Sequence, residues 1–582
     1  MKKLLFLIIL LIPSFLQAQE KKIKSSLLYS RVGYDAQAEK RIFIRSNDAA
    51  HKEAQFEILD KNNKVVLIGK PHYWGKKWNT NWWVIDFSSL QKDGTYTCQV
   101  KGFDSEILSS KPVKVQQNML WDKTWETIAI DQLKARVKMR KKNATKFSPE
   151  HAEGGGWQDC GGYLREVNSH STMLIGLLDL LEFSPERIPA SEQQEIIQQM
   201  IIGLNYLAFC QDKAKELGRG NGAIIHEWPK HTNVITGDVV KGALCFARAA
   251  KVFSSAFPKK AKDCLKRAKR SFNWLDKNGP NHNCGGTNFS LKVLEDDGFE
   301  PIANGAPAGT KHPNEWKTRD LVMMSWTAFA LAEAGEKKYQ KKAVAYADQF
   351  IDLQIPKEQA EGKFYGHFRA FKGVDYSEKA WSHHEMGWDA GATFPHYIIP
   401  LFEMSKKWKN HPKSRKWNTA IQQFAYGYFL PACKANPFYL LPQGYYKNEG
   451  LLNFSGLWHG MNGTYGSAAA LALELYSFTK DPEFQKIAIG NLQWIAGLNS
   501  GVLKNDRFIS KSMIYGIGDE YIGSWTKIPG TICNGFESDG QFVFTEPKAE
   551  KDAPRVFTDE GWITHTGGWL SAISRLKYLP VK

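Results

Sequence analysis

Near Met119 the chain changes texture, and that change constrains its fold more than any other feature. From about Ser26 to Gln117 the runs "RIFIRS", "AQFEILD", "KVVLIG", "WWVIDFS", "GTYTCQV" and "KPVKVQQ" are short, β-rich and separated by the turn signals "DKNN" and "KDG". With "SLLYSRV" before them they make about seven strands in about ninety residues, which predicts a β-sandwich over 26–117. Beyond Met119 the pattern becomes about twelve long amphipathic runs, filling 119–582. "LVMMSWTAFALAEAG" and "YGSAAALALELYSF" are typical, with small Ala and Gly positions that suit helices packed on helices. About twelve helices in one all-α domain is the count of an (α/α)6 toroid, so the expected fold is multidomain, a β-sandwich followed by that toroid. The long connections 281–318 and 500–557 exceed ordinary loop lengths and are expected to build a binding face.

The segment "MKKLLFLIILLIPSFLQAQ" has a basic start, an apolar run and a small-residue exit at Ala18, and reads as a cleavable signal peptide over 1–18. A periplasmic or secreted protein is expected, with no integral membrane segment after cleavage. The eight cysteines show no CxxC or other metal-ligand spacing and read mostly as buried thiols. A net charge of +17 favours anionic partners, but the lysines are dispersed along helix faces as in "KKAKDCLKRAKR", and an exported protein rarely meets nucleic acid. A polysaccharide, with an acidic one matching the charge, fits better. The 20 Trp and 21 Tyr supply faces on which sugar rings stack, although large cores use aromatics too.

The stretch "EGGGWQDCGGYL" (153–164) sets one carboxylate, Asp159, between glycine runs. Around it a resemblance becomes specific. "SRVGYDAQAEKRIFI" with "WWVIDFSSLQKDGTYTCQV" resembles the immunoglobulin-like domain that precedes the catalytic domain in many cellulases of glycoside hydrolase family 9. "GGGWQDCGGYLREV" resembles that family's "GGWxDAGDYxKYV", "LQWIAGLNSGV" its "LDWILGxNPxG", and "TDEGWITHTGGWLSAI" its "NEVAIDWNAPLVxAL". The matches come in family order over nearly the whole chain, and imply an immunoglobulin-like sandwich before the toroid. They also imply an inverting glycosidase, in which one acid protonates the leaving oxygen while a carboxylate activates water on the opposite face. Glu560 falls at the acid's position; the competing reading is that Asp559 and Glu560 cap a helix.

The base is where this chain departs from the family. Asp159 matches the first of two aspartates, but the second falls on Gly162, which cannot accept a proton. Asp159 is then the base, or a carboxylate from another loop takes the role. In the first case its carboxyl should lie roughly 6.5–9.5 Å from that of Glu560, room for one water. The family's "HHR" motif is also missing after "LNSGV", so the substrate should differ from cellulose. Expected substrate-binding residues are Trp157, Tyr163, Arg165 and His170 around the loop, and Tyr365, His367, Arg369, His383, His384, Trp388 and Asp389 in the polar segment "EGKFYGHFRAF...EKAWSHHEMGWDAGATFPHY". Adjacent His383 and His384 lack HxxxH or HExxH spacing, so no catalytic metal is expected. The resemblance admits a structural calcium, but no loop has EF-hand spacing. No phosphate-binding glycine loop and no GxSxG esterase signature occurs, so no nucleotide cofactor is expected. Two other readings stay open: a polysaccharide lyase that eliminates across a uronate, using Arg, His and Tyr without a water-holding aspartate pair, and a non-catalytic carbohydrate-binding relative.

Overall fold

The computed structural model describes residues 23–578 except 52, 161–162, 233, 281–315, 361, 370–371, 374–397, 443, 447–449, 453–461, 522–525 and 537–559. The signal segment, the connection 281–315 and the predicted site residues His383, His384, Trp388 and Asp389 therefore lie outside the described residues.

Ten strands occupy Ser26 to Gln116 in place of about seven. One sheet orders β1 (Ser26–Leu28), β3 (Arg41–Ser46), β7 (Thr80–Asp86) and β6 (His72–Lys77); the other orders β2 (Tyr34–Asp35), β10 (Val113–Gln116), β8 (Gly94–Lys101), β4 (Gln55–Leu59) and β5 (Val65–Gly69), with β9 (Leu108–Ser109) beside β8. Alternation sends Ile42, Ile44, Phe56, Ile58, Ile85 and Val100 inward to a core of their own. Of the three extra strands, β2 and β9 are two-residue pieces too short to leave an alternating signature, and β6, "HYWGKK", carries a glycine and two lysines in place of a β-rich run.

Helices follow from Met119: α1 (Met119–Glu126), α2 (Gln132–Phe147), α3 (Val167–Phe183), α4 (Ala190–Glu216), α5 (Thr236–Val252), α6 (Pro258–Asn278), α7 (Thr318–Glu333), α8 (Tyr339–Ile351), α9 (Ile399–Lys407), α10 (Ser414–Phe424), α11 (Leu430–Cys433), α12 (Asn462–Thr479), α13 (Glu483–Ile495) and α14 (Ile563–Ile573). Two textures separate them. α3, α5, α7, α12 and α14 are buried on nearly every side, whereas α4, α6, α8 and α10 bury one stripe. The packing closes α3, α5, α7, α9, α12 and α14 into an inner ring, α14 returning against α3, and the one-sided helices form the outer ring. This is the (α/α)6 toroid, behind an immunoglobulin-like sandwich. Gly176 of α3 shows how close the inner helices come: a Cβ there would meet the Gly567 carbonyl oxygen of α14 at 2.6 Å.

All inner helices run the same way. Their first turns meet each other, as when the Lys241 ammonium donates to Thr172 at 3.1 Å and Thr564 to Ser169 at 3.1 Å, and so do their last turns, as when Arg248 and Arg575 each reach Asp179 at 2.7 Å. The ring thus has an N-terminal pole and a C-terminal pole. The sandwich docks on the toroid's flank: Phe438 packs between Phe43 and Trp494, and the Arg41 guanidinium donates to the Pro437 carbonyl at 2.8 Å. The connection after Ser500, expected to build a binding face, instead begins with a hairpin, β13 (Val502–Lys504) and β14 (Arg507–Ile509), laid on the sandwich, where the Ser26 hydroxyl accepts the Phe508 N–H at 2.7 Å. β-branched and aromatic residues in that hairpin cover apolar sandwich surface that would otherwise face water. Among the described residues no helix is long and apolar enough to cross a membrane, and all seven described cysteines are free and buried.

Candidate active site

The glycine run before Asp159 bends through left-handed backbone at Gly154, Gly155 and Gly156. At Gly156 the turn also needs the missing side chain, because a Cβ would meet the His170 Nε2 at 2.7 Å. His170, in the first turn of α3, holds the loop: its Nε2 accepts the Trp157 N–H at 2.9 Å, so its Nδ1 donates to the Glu166 carbonyl at 2.8 Å. Burial keeps that imidazole neutral, with its pKa pushed down to about 3. The Arg165 guanidinium donates to the Glu153, Gly155 and Trp228 carbonyls. Asp159 then closes on Leu164 through its own N–H, and its Oδ2 accepts the Glu166 N–H at the N-terminus of α3 at 3.2 Å. Its Oδ1 is buried without a hydrogen-bond partner among the described residues. Burial, with Glu166 and Glu227 adding like charge, holds this carboxyl well above the usual range.

Glu560 enters from the adjoining segment of the ring, just ahead of α14, where the Ile563 N–H donates to the Asp159 carbonyl at 2.9 Å. Its carbonyl accepts the Asn534 N–H at 2.8 Å, and Gly561 bridges Cys533. Its side chain is 8% exposed. Burial pushes the Glu560 pKa up to about 7 and the charge of Asp159 adds to it, against the neighbouring Trp562 side chain and the Cys160 thiol. Cys160 hydrogen-bonds Asp159 as well, so one thiol lies between the two carboxyls. The two chain segments are clamped by a residue that sequence reasoning passed over. Arg136 of α2, fully buried, donates to the Gln158, Asp159 and Gly561 carbonyls at 2.8–3.0 Å and to the Thr531 hydroxyl at 3.3 Å. In sequence it is one of several basic residues in "KARVKMRKK", and its inward register is the only signal of its role.

The segment "HEWPKH" (226–231) was also missed. The Val167 N–H of α3 donates to the His226 carbonyl at 2.8 Å, bringing this loop under the site. His226 lies between Asp238, 2.7 Å from its Nδ1, and Glu166, 3.7 Å from its Nε2. Burial would lower its pKa, but the two carboxylates outweigh it and hold the ring charged. Glu227 accepts the Arg165 N–H at 3.2 Å and faces His231 at 3.0 Å; burial, with the charge of Glu166, pushes its pKa up to about 7. His231 is pushed down to about 3 by burial and the nearby His226 charge. A dense run of ionisable residues just before α5 was the available clue.

Several expected substrate contacts are placed differently. Trp157, Arg165 and His170 have no exposed surface. The Trp157 ring stacks on His170 at 5.2 Å, its indole donates to Gln199, and its far edge meets Gly203, so these three support the loop from beneath. Tyr163 is half-buried at the rim, between Phe147, His151 and the Lys230 ammonium. Tyr365 packs on Gly427 and His367 on Tyr428, both in the turn of helix between α10 and α11, two to four residues ahead of Arg369 and the N-terminal pole. The Arg369 carbonyl accepts the Thr318 hydroxyl at the start of α7, which sets Arg369 near that pole. Among the described residues no group of three or more His, Cys, Asp or Glu could hold a metal ion.

The pair of raised carboxyls beneath the N-terminal pole can donate one proton and accept another, as a glycosidase requires. The model for "Glycosyl hydrolase family 9" matches residues 130–523, a span that contains Asp159 and ends before Glu560, and the model for "Cellulase N-terminal ig-like domain" matches residues 24–105. Among curated proteins none matches the chain in sequence. Solved structures share its fold: a metagenome-derived glycoside hydrolase family 9 endoglucanase, 16% identical, covers 95% of this chain and 99% of its own with a TM-score of 0.63. The family 9 endoglucanase J30, 13% identical, covers 94% and 100% with a TM-score of 0.61. A single mutant of the thermostable endoglucanase from Alicyclobacillus acidocaldarius, 14% identical, covers 95% and 99% with a TM-score of 0.57. With the family model matching well over half of its residues, the chain belongs to glycosyl hydrolase family 9 and carries the immunoglobulin-like domain of cellulases ahead of its catalytic domain.

Proposed function

We propose that the protein is an exported glycosidase that hydrolyses internal O-glycosidic bonds of a glycan other than cellulose, with inversion, using Glu560 as general acid and Asp159 as general base. The observation that carries the reading is the pairing itself. Glu560 is pushed up to about 7 by burial and so keeps its proton near neutrality, while Asp159, facing it across Cys160, has one buried carboxylate oxygen, Oδ1, with no donor among the described residues and so free to take a proton from a water admitted with substrate. The Glu166 N–H on Oδ2 and the N-terminus of α3 favour the ionised form of Asp159, opposing its burial. In one displacement the Glu560 proton passes to the leaving oxygen. Water attacks the anomeric carbon from the opposite face and gives its proton to Asp159 Oδ1. The carboxyls are expected about 6.5–9.5 Å apart in the complex with substrate.

Endo attack is inferred from the endoglucanase relatives, and a non-cellulose substrate from the missing "HHR" motif and from Gly162. The charge of +17 favours an acidic glycan, and the apolar start of the chain favours export. A panel of neutral and acidic polysaccharides decides the reaction: hydrolysis creates reducing ends without ultraviolet absorbance, whereas a lyase creates a 4,5-unsaturated end that absorbs. New absorbance, or no new ends on any glycan, would overturn the proposal.

A further inference from the structure

The C-terminal pole of the inner ring, opposite the carboxyl pair, holds a cavity of about 260 Å³. Asp179, at its floor, is thirteen residues along α3 from Glu166, so the cavity lies roughly 20 Å from the catalytic pole. The floor is a fixed ion network. Asp179 pairs with Arg575 and Arg248, both at 2.7 Å, Arg575 also reaches Glu474 at 2.8 Å, and Arg248 reaches Glu182 at 2.7 Å. One wall is aromatic, with Trp326 and Phe329 of α7 and Phe183 of α3, and Ala330 leaves the gap between the wall and the floor.

Two polar groups in this cavity are left over. Arg248, nine-tenths buried, spends Nη2 on both carboxylates, while its Nη1 is enclosed without a hydrogen-bond partner among the described residues. Glu403 of α9 has no ion pair or hydrogen bond among the described residues, and burial together with the charge of Glu474 pushes its pKa up to about 7. The cavity therefore offers a carboxyl that can donate or accept beside an aromatic wall, with the Arg248 guanidinium enclosed behind it.

Charge selects what fits. The C-termini of α3, α5, α7 and α9 gather here, and with Asp179 and Glu182 they disfavour an anion. The guanidiniums of Arg248 and Arg575 disfavour a cation. A neutral ligand whose hydroxyls both donate and accept, and whose C–H face lies on Trp326, satisfies all of these groups. The cavity is large enough to admit a six-membered sugar ring. We propose that this cavity is a second carbohydrate site that binds a single neutral monosaccharide, independently of the catalytic reading above.

Titration calorimetry on the full chain at pH 6.5, with D-glucose, D-galactose and N-acetylglucosamine as probes and D-glucuronate as the anionic comparison, tests this. Saturable binding of at least one neutral sugar is expected, with Kd in the millimolar range for a ligand of about twelve heavy atoms. Ala330→Trp fills the cavity without touching the ion network and should weaken binding at least 10-fold, with turnover of polysaccharide unchanged. Should Ala330→Trp fail to fold, Glu403→Leu decides alone, with a loss of about 5-fold or more. Binding that survives in every folded variant, no saturable binding of any neutral sugar, or glucuronate binding at least as tightly as the neutral sugars would overturn the proposal.

Discussion

Glu560→Gln separates a buried general acid from a helix cap. The amide keeps the shape and can still accept from Cys160, but it carries no transferable proton. On natural linkages, with poor leaving groups, turnover should fall roughly 10²- to 10⁴-fold. The same substitution should change stability in a pH-dependent way. The folded-state pKa of about 7 lies above the ordinary 4.5, so the stability that protonated Glu560 contributes is fully present below about pH 4.5 and is lost as pH rises through 7. The rise from 4.5 to about 7 corresponds to about 3 kcal/mol at full ionisation. Glutamine cannot ionise and escapes that loss. The variant should match the wild type near pH 4.5 and exceed it by about 3 kcal/mol at pH 8.5. With an unfolding entropy of about 1 kcal/mol/K for a domain of this size, that is about 3 °C in Tm. Paired thermal scans at the two pH values read it, alongside kcat/KM profiles in which the wild type's alkaline limb near pH 7 should vanish in the variant. A Tm difference that is equal at both pH values, or a variant retaining more than about a tenth of wild-type turnover, would return Glu560 to its capping role.

Asp159→Asn should lose roughly 10²-fold or more on every substrate, including aryl glycosides with good leaving groups, whereas Glu560→Gln should recover on those; rate measurements on one natural and one activated substrate distinguish the two roles. Arg136→Met leaves the carbonyls of Gln158, Asp159 and Gly561 without their donor and should destabilise by about 3 kcal/mol or more, read from denaturant midpoints. Gly176→Ala drives a Cβ into the Gly567 carbonyl across two inner helices, and should cost about 1–3 kcal/mol in the same assay with the site chemistry unaltered. From these groups the wild type should be most stable near about pH 4.5: as pH rises from there through 7 the three raised carboxyls of Asp159, Glu227 and Glu560 lose their contribution, outweighing what the two depressed imidazoles of His170 and His231 regain up to 6.5, and below pH 4.5 the imidazoles' loss is no longer offset.

The sequence by itself determined the two-part fold, because period-two runs and long helical runs state which faces must be buried before any contact is known. Inner and outer helices are also legible, since α7 and α12 are apolar or small nearly all round while α6 carries lysine and arginine along one face. Asp159 and Glu560 were legible through motifs fixed in local sequence. What tertiary structure alone decided is which side chains those motifs meet. Asp159 and Glu560 are 401 positions apart, and only ring closure by α14 against α3 puts them on one thiol and one guanidinium. The same closure brings Glu166, His226, Glu227 and Asp238 beneath Asp159, where burial and neighbouring charge hold His226 charged and push Glu227 up, and it turns Trp157, Arg165 and His170, polar or stacking residues that read as substrate contacts, into props beneath the loop. Pattern reports how much of a residue is buried; the partner that burial brings depends on how separate helices cross, which no local window contains.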